Sequence, residues 1–256
     1  MKRLLFLLFF WGSGVPLLHS ADLLYSGLEL TYDHFNFKRQ EVTGRSVFRY
    51  SALEESGLKL LLEDNENTKP DGEVYLRKTV RYQLDSLQAT HYTEEDLRKS
   101  LRIENQYLPG LIRSRLSEKG QVKEFELQVP KSGVVPFETV LLFLRQRWQE
   151  IGAGRPLKMS LYLPALAFEL ERSGMPRSMS LIRMVVESQG TETVDSVLGR
   201  VSAVRLLAYP ESAMLRLLLP KSKTHFRFLI LQEAPHWILE FEEGETRHQL
   251  KKVVLP

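Results

Sequence analysis

Glu124-Phe125-Glu126-Leu127-Gln128-Val129 alternates charged or polar with apolar side chains, residue by residue. A period of two puts Phe125, Leu127 and Val129 on one face of a β-strand and the acids on the other. The same alternation returns at His225-Phe226-Arg227-Phe228-Leu229-Ile230 and at Trp237-Ile238-Leu239-Glu240-Phe241-Glu242. Val74, Leu76 and the stretch 79–84 read likewise. Further strands are expected at 23–32, 46–53, 58–63, 105–117, 158–163, 179–188, 200–209, 213–219 and 249–254. Asp71-Gly72, Lys119-Gly120, Gln189-Gly190, Leu198-Gly199, Pro210-Glu211, Pro220-Lys221 and Glu243-Gly244 punctuate them as turns. Strands joined by short polar turns make antiparallel hairpins and meanders.

One helix stands out from this pattern. Phe137, Val140, Leu141, Leu144, Trp148 and Ile151 recur at offsets of three and four, so they share one apolar face over about 137–151. Pro136 suits its first position, Glu138 its positive end, and Gly152 its stop. A second, short helix is expected from Thr93 to about Ser100, where Thr93-Glu94-Glu95-Asp96 resembles a capping arrangement. The fold class is therefore mainly β, a β-rich α+β chain. Its architecture is a curved antiparallel sheet or open β-barrel with one packed amphipathic helix. The polar run 65–72 reads as an ordinary loop, not a domain linker.

Met1-Lys2-Arg3 followed by the apolar run Leu4 to Trp11 is the pattern of a secretory signal peptide. Gly12, Gly14 and Pro16 break the run, which is short for a membrane span. Cleavage is expected near Ser20 or Ala21, with cutting after Ser20 favoured. That leaves 21–256 as a single exported β-rich domain, periplasmic or secreted, with two halves meeting near 133 and no transmembrane helix after cleavage. No Cys is present to carry a lipid, a disulfide, a thiol nucleophile or a thiolate metal ligand. The chain has 35 basic and 32 acidic residues. Loss of Lys2 and Arg3 leaves it near neutral, and no basic patch with interleaved aromatics points to nucleic acid.

From Val134 onward the order of features resembles a group of exported bacterial proteins, the domain of unknown function 3108. The resemblance lies in the helix Phe137-Glu138-Thr139-Val140-Leu141-Leu142-Phe143-Leu144-Arg145-Gln146, then Gly154-Arg155-Pro156-Leu157, then Gly199-Arg200-Val201-Ser202-Ala203, and a late strand with Pro235 and Trp237. It covers about 120 residues, 134–254. Where that family's helix often opens on Asp, Pro136 and Phe137 stand here. The resemblance implies export and a curved antiparallel sheet, and it supplies no activity and no catalytic residue.

No local motif carries chemistry. The His residues form no pair at metal-ligand spacing, and no Gly-x-Ser-x-Gly elbow or phosphate loop occurs. Glu54-Glu55, Glu94-Glu95-Asp96 and Glu242-Glu243 read as solvated charge beside turns or at a helix start. No catalytic residue, metal ligand or cofactor is expected, and the chain reads as a non-enzyme. The aromatic residues Phe143 and Trp148 on the helix, with Tyr162, Phe226, Phe228 and Trp237 (and Phe168) on expected strands, are the candidate ligand-binding set. Core packing is the ordinary explanation for all of them. The expected function is binding of an apolar ligand, a lipid or acyl chain, in the curved sheet. The alternative is a structural or assembly protein of the envelope working through a sheet edge; a hydrolase built from distant acids is a third reading. The partners implied are an envelope lipid or an envelope protein.

Overall fold

The computed structural model describes residues 25–130, 133–218 and 221–255. The expected export signal, 1–20, and its cleavage point lie outside the described residues. Fifteen strands form one sheet, β1 (Glu29–Asn36), β2 (Glu41–Glu55), β3 (Leu58–Thr68), β4 (Val74–Gln83), β5 (Ala89–Asp96), β6 (Leu101–Leu108), β7 (Leu111–Glu118), β8 (Gln121–Gln128), β9 (Val135–Pro136), β10 (Leu157–Tyr162), β11 (Leu181–Ser196), β12 (Gly199–Pro210), β13 (Phe226–Leu231), β14 (Ile238–Glu243) and β15 (Thr246–Val254). The spatial order is β8-β7-β6-β5-β4-β3-β2-β1-β15-β14-β13-β12-β11-β10-β9. Every neighbouring pair is antiparallel except β9 with β10. The halves before and after Gly133 thus share one sheet, and they join where β1 pairs with β15.

Register shifts at Thr31/Tyr32, His34/Phe35, Arg81/Tyr82, Ser188/Gly190 and Leu229/Ile230 interrupt the ladders. Bulges bend and twist a strand locally, and here they curl an otherwise continuous sheet. Gly190, expected in a turn, lies at one of these bulges inside the long β11. At Gly44, opposite His34, a Cβ would stand 2.5 Å from the Thr68 carbonyl oxygen. We expect Gly44→Ala to cost about 1–3 kcal/mol, because a backbone atom has to move. A thermal melt would show it as a lowered Tm, and an unchanged Tm would refute the crowding.

The helical segment is real but broken. A 3-10 turn, Phe137–Thr139, leads into α1 (Val140–Gln146), and a kink at Arg147 separates it from α2 (Trp148–Gly152). It is a wedge with two apolar sides. Val140, Leu144 and Ile151 pack with Leu157, Met159, Met184, Leu206 and Ile230 of the second half. Leu142 packs into the other cluster, with Tyr32, Tyr50, Tyr82, Tyr92 and Phe125 of the first half. Leu144, wholly buried, sits at the centre of the first of these contacts.

Five expectations are corrected. Thr93 to Ser100 is not a helix; β5 runs to Asp96 and a turn follows. Residues 213–218 are not a strand; α4 (Ala213–Leu218) occupies them, residue 219 lies outside the described residues, and α5 (Lys221–Thr224) follows. Phe168 is on no strand. Pro164 starts a helix, α3 (Pro164–Arg172), and proline is well suited to a first helical position. The run 105–117 is two strands parted by Pro109-Gly110, and 65–68 extends β3 rather than forming a loop. Among the described residues no helix is long and apolar enough to cross a membrane.

Candidate functional site

The hairpin tips of the first half approach the strands of the second without filling the space between them. The β4–β5 turn (Leu87, Ala89), the β6–β7 turn (Leu108, Pro109, Gly110), α1 and strands β9 to β11 enclose a cleft of about 1040 Å³. Met159, Met184, Ile112, Tyr107, Val135 and Phe143 give it apolar walls. Polar groups border it. Gln146 Nε2 donates to the Ser86 carbonyl at 3.2 Å, tying α1 to the β4–β5 turn. Lys158 Nζ pairs with Glu211 at 2.6 Å, and Arg147 pairs with Glu150. Exposed Arg183 also lines the cleft, with no ion pair among the described residues.

The six aromatic candidates do not converge. Phe143 alone among them lines the cleft. Trp148 is half-buried and stacks on His236 at 4.5 Å between ring centroids. Phe226 tilts against Phe137 at 5.5 Å, and Phe228 is buried in the second-half cluster. Tyr162 is wholly buried; its hydroxyl shares a hydrogen bond with Ser114 at 3.1 Å, and burial pushes its pKa up to about 12. Trp237 is buried elsewhere, with the Arg145 guanidinium 4.3 Å over its ring.

Sequence reasoning missed a polar band on the inner face of the first half. Register places it: Tyr50, Glu63 and Val80 are cross-strand neighbours, as are Phe48, Asn65, Lys78 and Glu94. Glu63 is 5% exposed and accepts from the Tyr82 hydroxyl at 3.0 Å. Burial raises its pKa to about 7, against the hydrogen bonds from Tyr82 and Tyr50. Glu138, expected to favour the positive end of the helix, has its Oε2 enclosed, and burial raises its pKa to about 7 as well. Lys78 Nζ stands 3.5 Å from Glu94, and the Tyr92 hydroxyl donates to Glu94. Burial works against the Lys78 charge, but Glu94, Glu138 and Glu243 outweigh it and raise its pKa.

At the sheet's seam His34 and His248 meet at 4.4 Å between ring centroids, and His248 stacks on Phe241 at 4.1 Å. Burial lowers their pKa values to about 4 and about 3, so both are neutral at pH 7. Ser46 donates to Asn67 Oδ1 at 2.7 Å, which leaves its oxygen to accept from His34 Nε2. Glu94 was read with Glu95 and Asp96 as solvated charge. In fact Glu94 faces inward, Glu95 pairs with Arg102 at 2.7 Å, and Asp96 is buried beside Arg98 at 3.2 Å. Among the described residues no three His, Asp or Glu side chains gather closely enough to hold a metal ion.

Compared with known proteins, the chain matches no family model and no curated protein. The likeness to the domain of unknown function 3108 therefore stands on the quoted residues alone. Two solved structures are similar. One, from Bacteroides fragilis, is described as an exported protein with a YmcC-like fold; it is 10% identical, with 91% of this chain and 99% of that chain covered and a TM-score of 0.35. The other, described as a lipoprotein from Parabacteroides distasonis, is 9% identical, with 91% and 98% covered and a TM-score of 0.34.

Proposed function

We propose that this chain is an exported envelope protein that binds a molecule with an apolar chain, a lipid or acyl group, in the cleft beside α1, without transforming it. The observation that carries this reading is the cleft itself, about 1040 Å³ with apolar walls and a polar border. That volume is at the upper end of small-molecule sites. Transfer of an alkyl chain onto Met159, Met184 and Phe143 contributes about 0.8 kcal/mol per buried CH₂. The export pattern of residues 1–20 makes envelope lipids the natural supply.

The test is native mass spectrometry of protein purified gently from an envelope fraction. The expected result is bound mass that disappears on denaturation and is identified as lipid. A clean apo mass that takes up no added fatty acid would overturn the reading, and a discrete protein adduct would favour the assembly role. Ala89→Trp places an indole in the cleft. It is expected to weaken fatty-acid uptake at least about tenfold, since filling the site removes roughly 1.4 kcal/mol or more of chain burial. Undiminished uptake would move the ligand elsewhere.

A further inference from the structure

The cleft beside α1 is uneven in charge. Its charged lining residues are Arg147, Lys158, Arg183 and Glu211. Arg147 is answered by Glu150. Lys158 and Arg183 are left to share the carboxylate of Glu211. That carboxylate pairs with Lys158 at 2.6 Å, and Lys158 first, then Arg183, hold it below its ordinary pKa. The Arg183 carbonyl accepts from the Glu211 N–H at 2.8 Å, which sets the two residues side by side. The exposed Arg183 guanidinium itself makes no ion pair, hydrogen bond or ring contact among the described residues. This border of the cleft therefore carries one positive charge that no carboxylate lining the cleft offsets.

The surroundings of Arg183 add uncharged donors. The β10–β11 ladder sets Ser160 directly opposite Arg183, so the two share one face of the sheet. Lys158, two residues along β10, shares it as well. Ser160 is half-buried, and its hydroxyl has no partner among the described residues. β9 pairs with β10 at Leu161 and Tyr162 and goes no further. From Lys158 to Ser160 the strand has β11 on one side and an open edge on the other, and an open edge presents backbone N–H groups. Lys158, Met159 and Ser160 all line the cleft. The same cleft is walled by Leu87, Leu108, Pro109, Val135 and Phe143. It thus joins an apolar wall to a border of donors with positive charge to spare.

We propose that the bound lipid is an anion, its oxyanion head (a carboxylate or a phosphate) held by Arg183 and Ser160 while its chain lies on the apolar wall. The flat guanidinium donates to two oxygens of such a head at once. The Ser160 hydroxyl and the bare β10 edge supply further donors. The head's charge meets the positive charge that Glu211 leaves over. This names the head group of the ligand assigned to the cleft above, and it rests on that reading.

The experiment is calorimetric titration of the purified protein at about pH 8, where a carboxylic acid is ionised. The probes are dodecanoate, dodecyl phosphate, dodecanol and dodecylammonium, each below its micelle concentration. The two anions are expected to bind about tenfold or more tighter than dodecanol, as a hydrogen bond to a charged group provides. Dodecylammonium should bind weakest. Sodium chloride should weaken the anions and not dodecanol. Arg183→Ala should bring the anions down to the level of dodecanol and leave dodecanol where it was, which a misfolded variant would not do. The anion that binds tighter identifies the head as carboxylate or phosphate. Dodecanol or dodecylammonium binding as tightly as the anions, or undiminished anion binding by Arg183→Ala, would overturn the proposal and leave the lipid reading standing. Inorganic phosphate binding as tightly as dodecyl phosphate would overturn it too, since the chain would then play no part. Binding of none of these probes would overturn both. The ranking of the probes by the wild-type protein is decisive without the variant.

Discussion

Arg145→Ala is expected to lower the unfolding free energy by about 4 kcal/mol, near the top of what single substitutions do. Arg145 is 7% exposed. Its Nη2 and Nε donate to the Pro235 carbonyl at 3.1 and 3.3 Å. Its guanidinium lies 4.3 Å from the Trp237 ring and 4.9 Å from that of Tyr25. One planar group thereby joins α1, the N-terminal segment and the β13–β14 connection. Truncation leaves a half-buried carbonyl unpaired, about 1 kcal/mol. It also removes two cation–π contacts of about 1–2 kcal/mol each. Lysine cannot reproduce the flat, five-donor shape, so Arg145→Lys should recover less than half. Urea unfolding measures both variants, and a loss under about 1 kcal/mol for alanine would show that the joint is dispensable.

Glu63→Gln should stabilise the protein by about 3 kcal/mol at pH 8 and leave it little changed at pH 4.5. The native pKa of Glu63 is raised by burial from 4.5 to about 7. The folded state thus holds a proton that the unfolded state has released. Stability from this group is complete below pH 4.5 and is lost as the pH rises to 7. At roughly 1.4 kcal/mol per unit the loss approaches 3 kcal/mol. His34 and His248 pull the other way. Their native pKa values are lowered to about 4 and about 3, so their contribution is present above pH 6.5 and is lost as the pH falls toward 4 and 3. The opposing slopes partly cancel in the wild type, and the difference between variant and wild type isolates Glu63. Parallel stability–pH curves for the two proteins would dispose of the argument.

Where one face of a strand is buried and the other wet, the sequence announces the strand. Phe125 and Leu127 between glutamates do so, and β8 lies where that alternation puts it. The reading fails where burial and polarity part company. Glu63, Asn65, Lys78 and Glu94 occupy inward positions, so the end of β3, from residue 65, was read as a loop and the end of β5, from Thr93, as a helix start. Thr93-Glu94-Glu95-Asp96 satisfies the spacing of a helix cap, but the ladder to β4 and β6 overrides that local preference. Residues 213–218 failed for the opposite reason. An apolar run has no period to separate strand from short helix. The lipid-site aromatics were chosen for size, and size selects core as readily as site. The Lys78–Glu94 pair was invisible because its members lie on different strands, and only the β4–β5 ladder brings them together.

Because β1 pairs with β15, the two outer edges of the sheet, β8 and β9, are consecutive along the chain. The first half can zip outward from β1 to β8 by short hairpins as soon as its residues are available. The β1–β15 ladder, by contrast, closes over more than 200 residues, from Glu29 opposite Val254 to Asn36 opposite Thr246. Such non-local pairing comes at high entropic cost and slowly. Until it forms, β1 keeps one bare side, so the middle of the finished sheet is the last edge a chaperone or a protease meets.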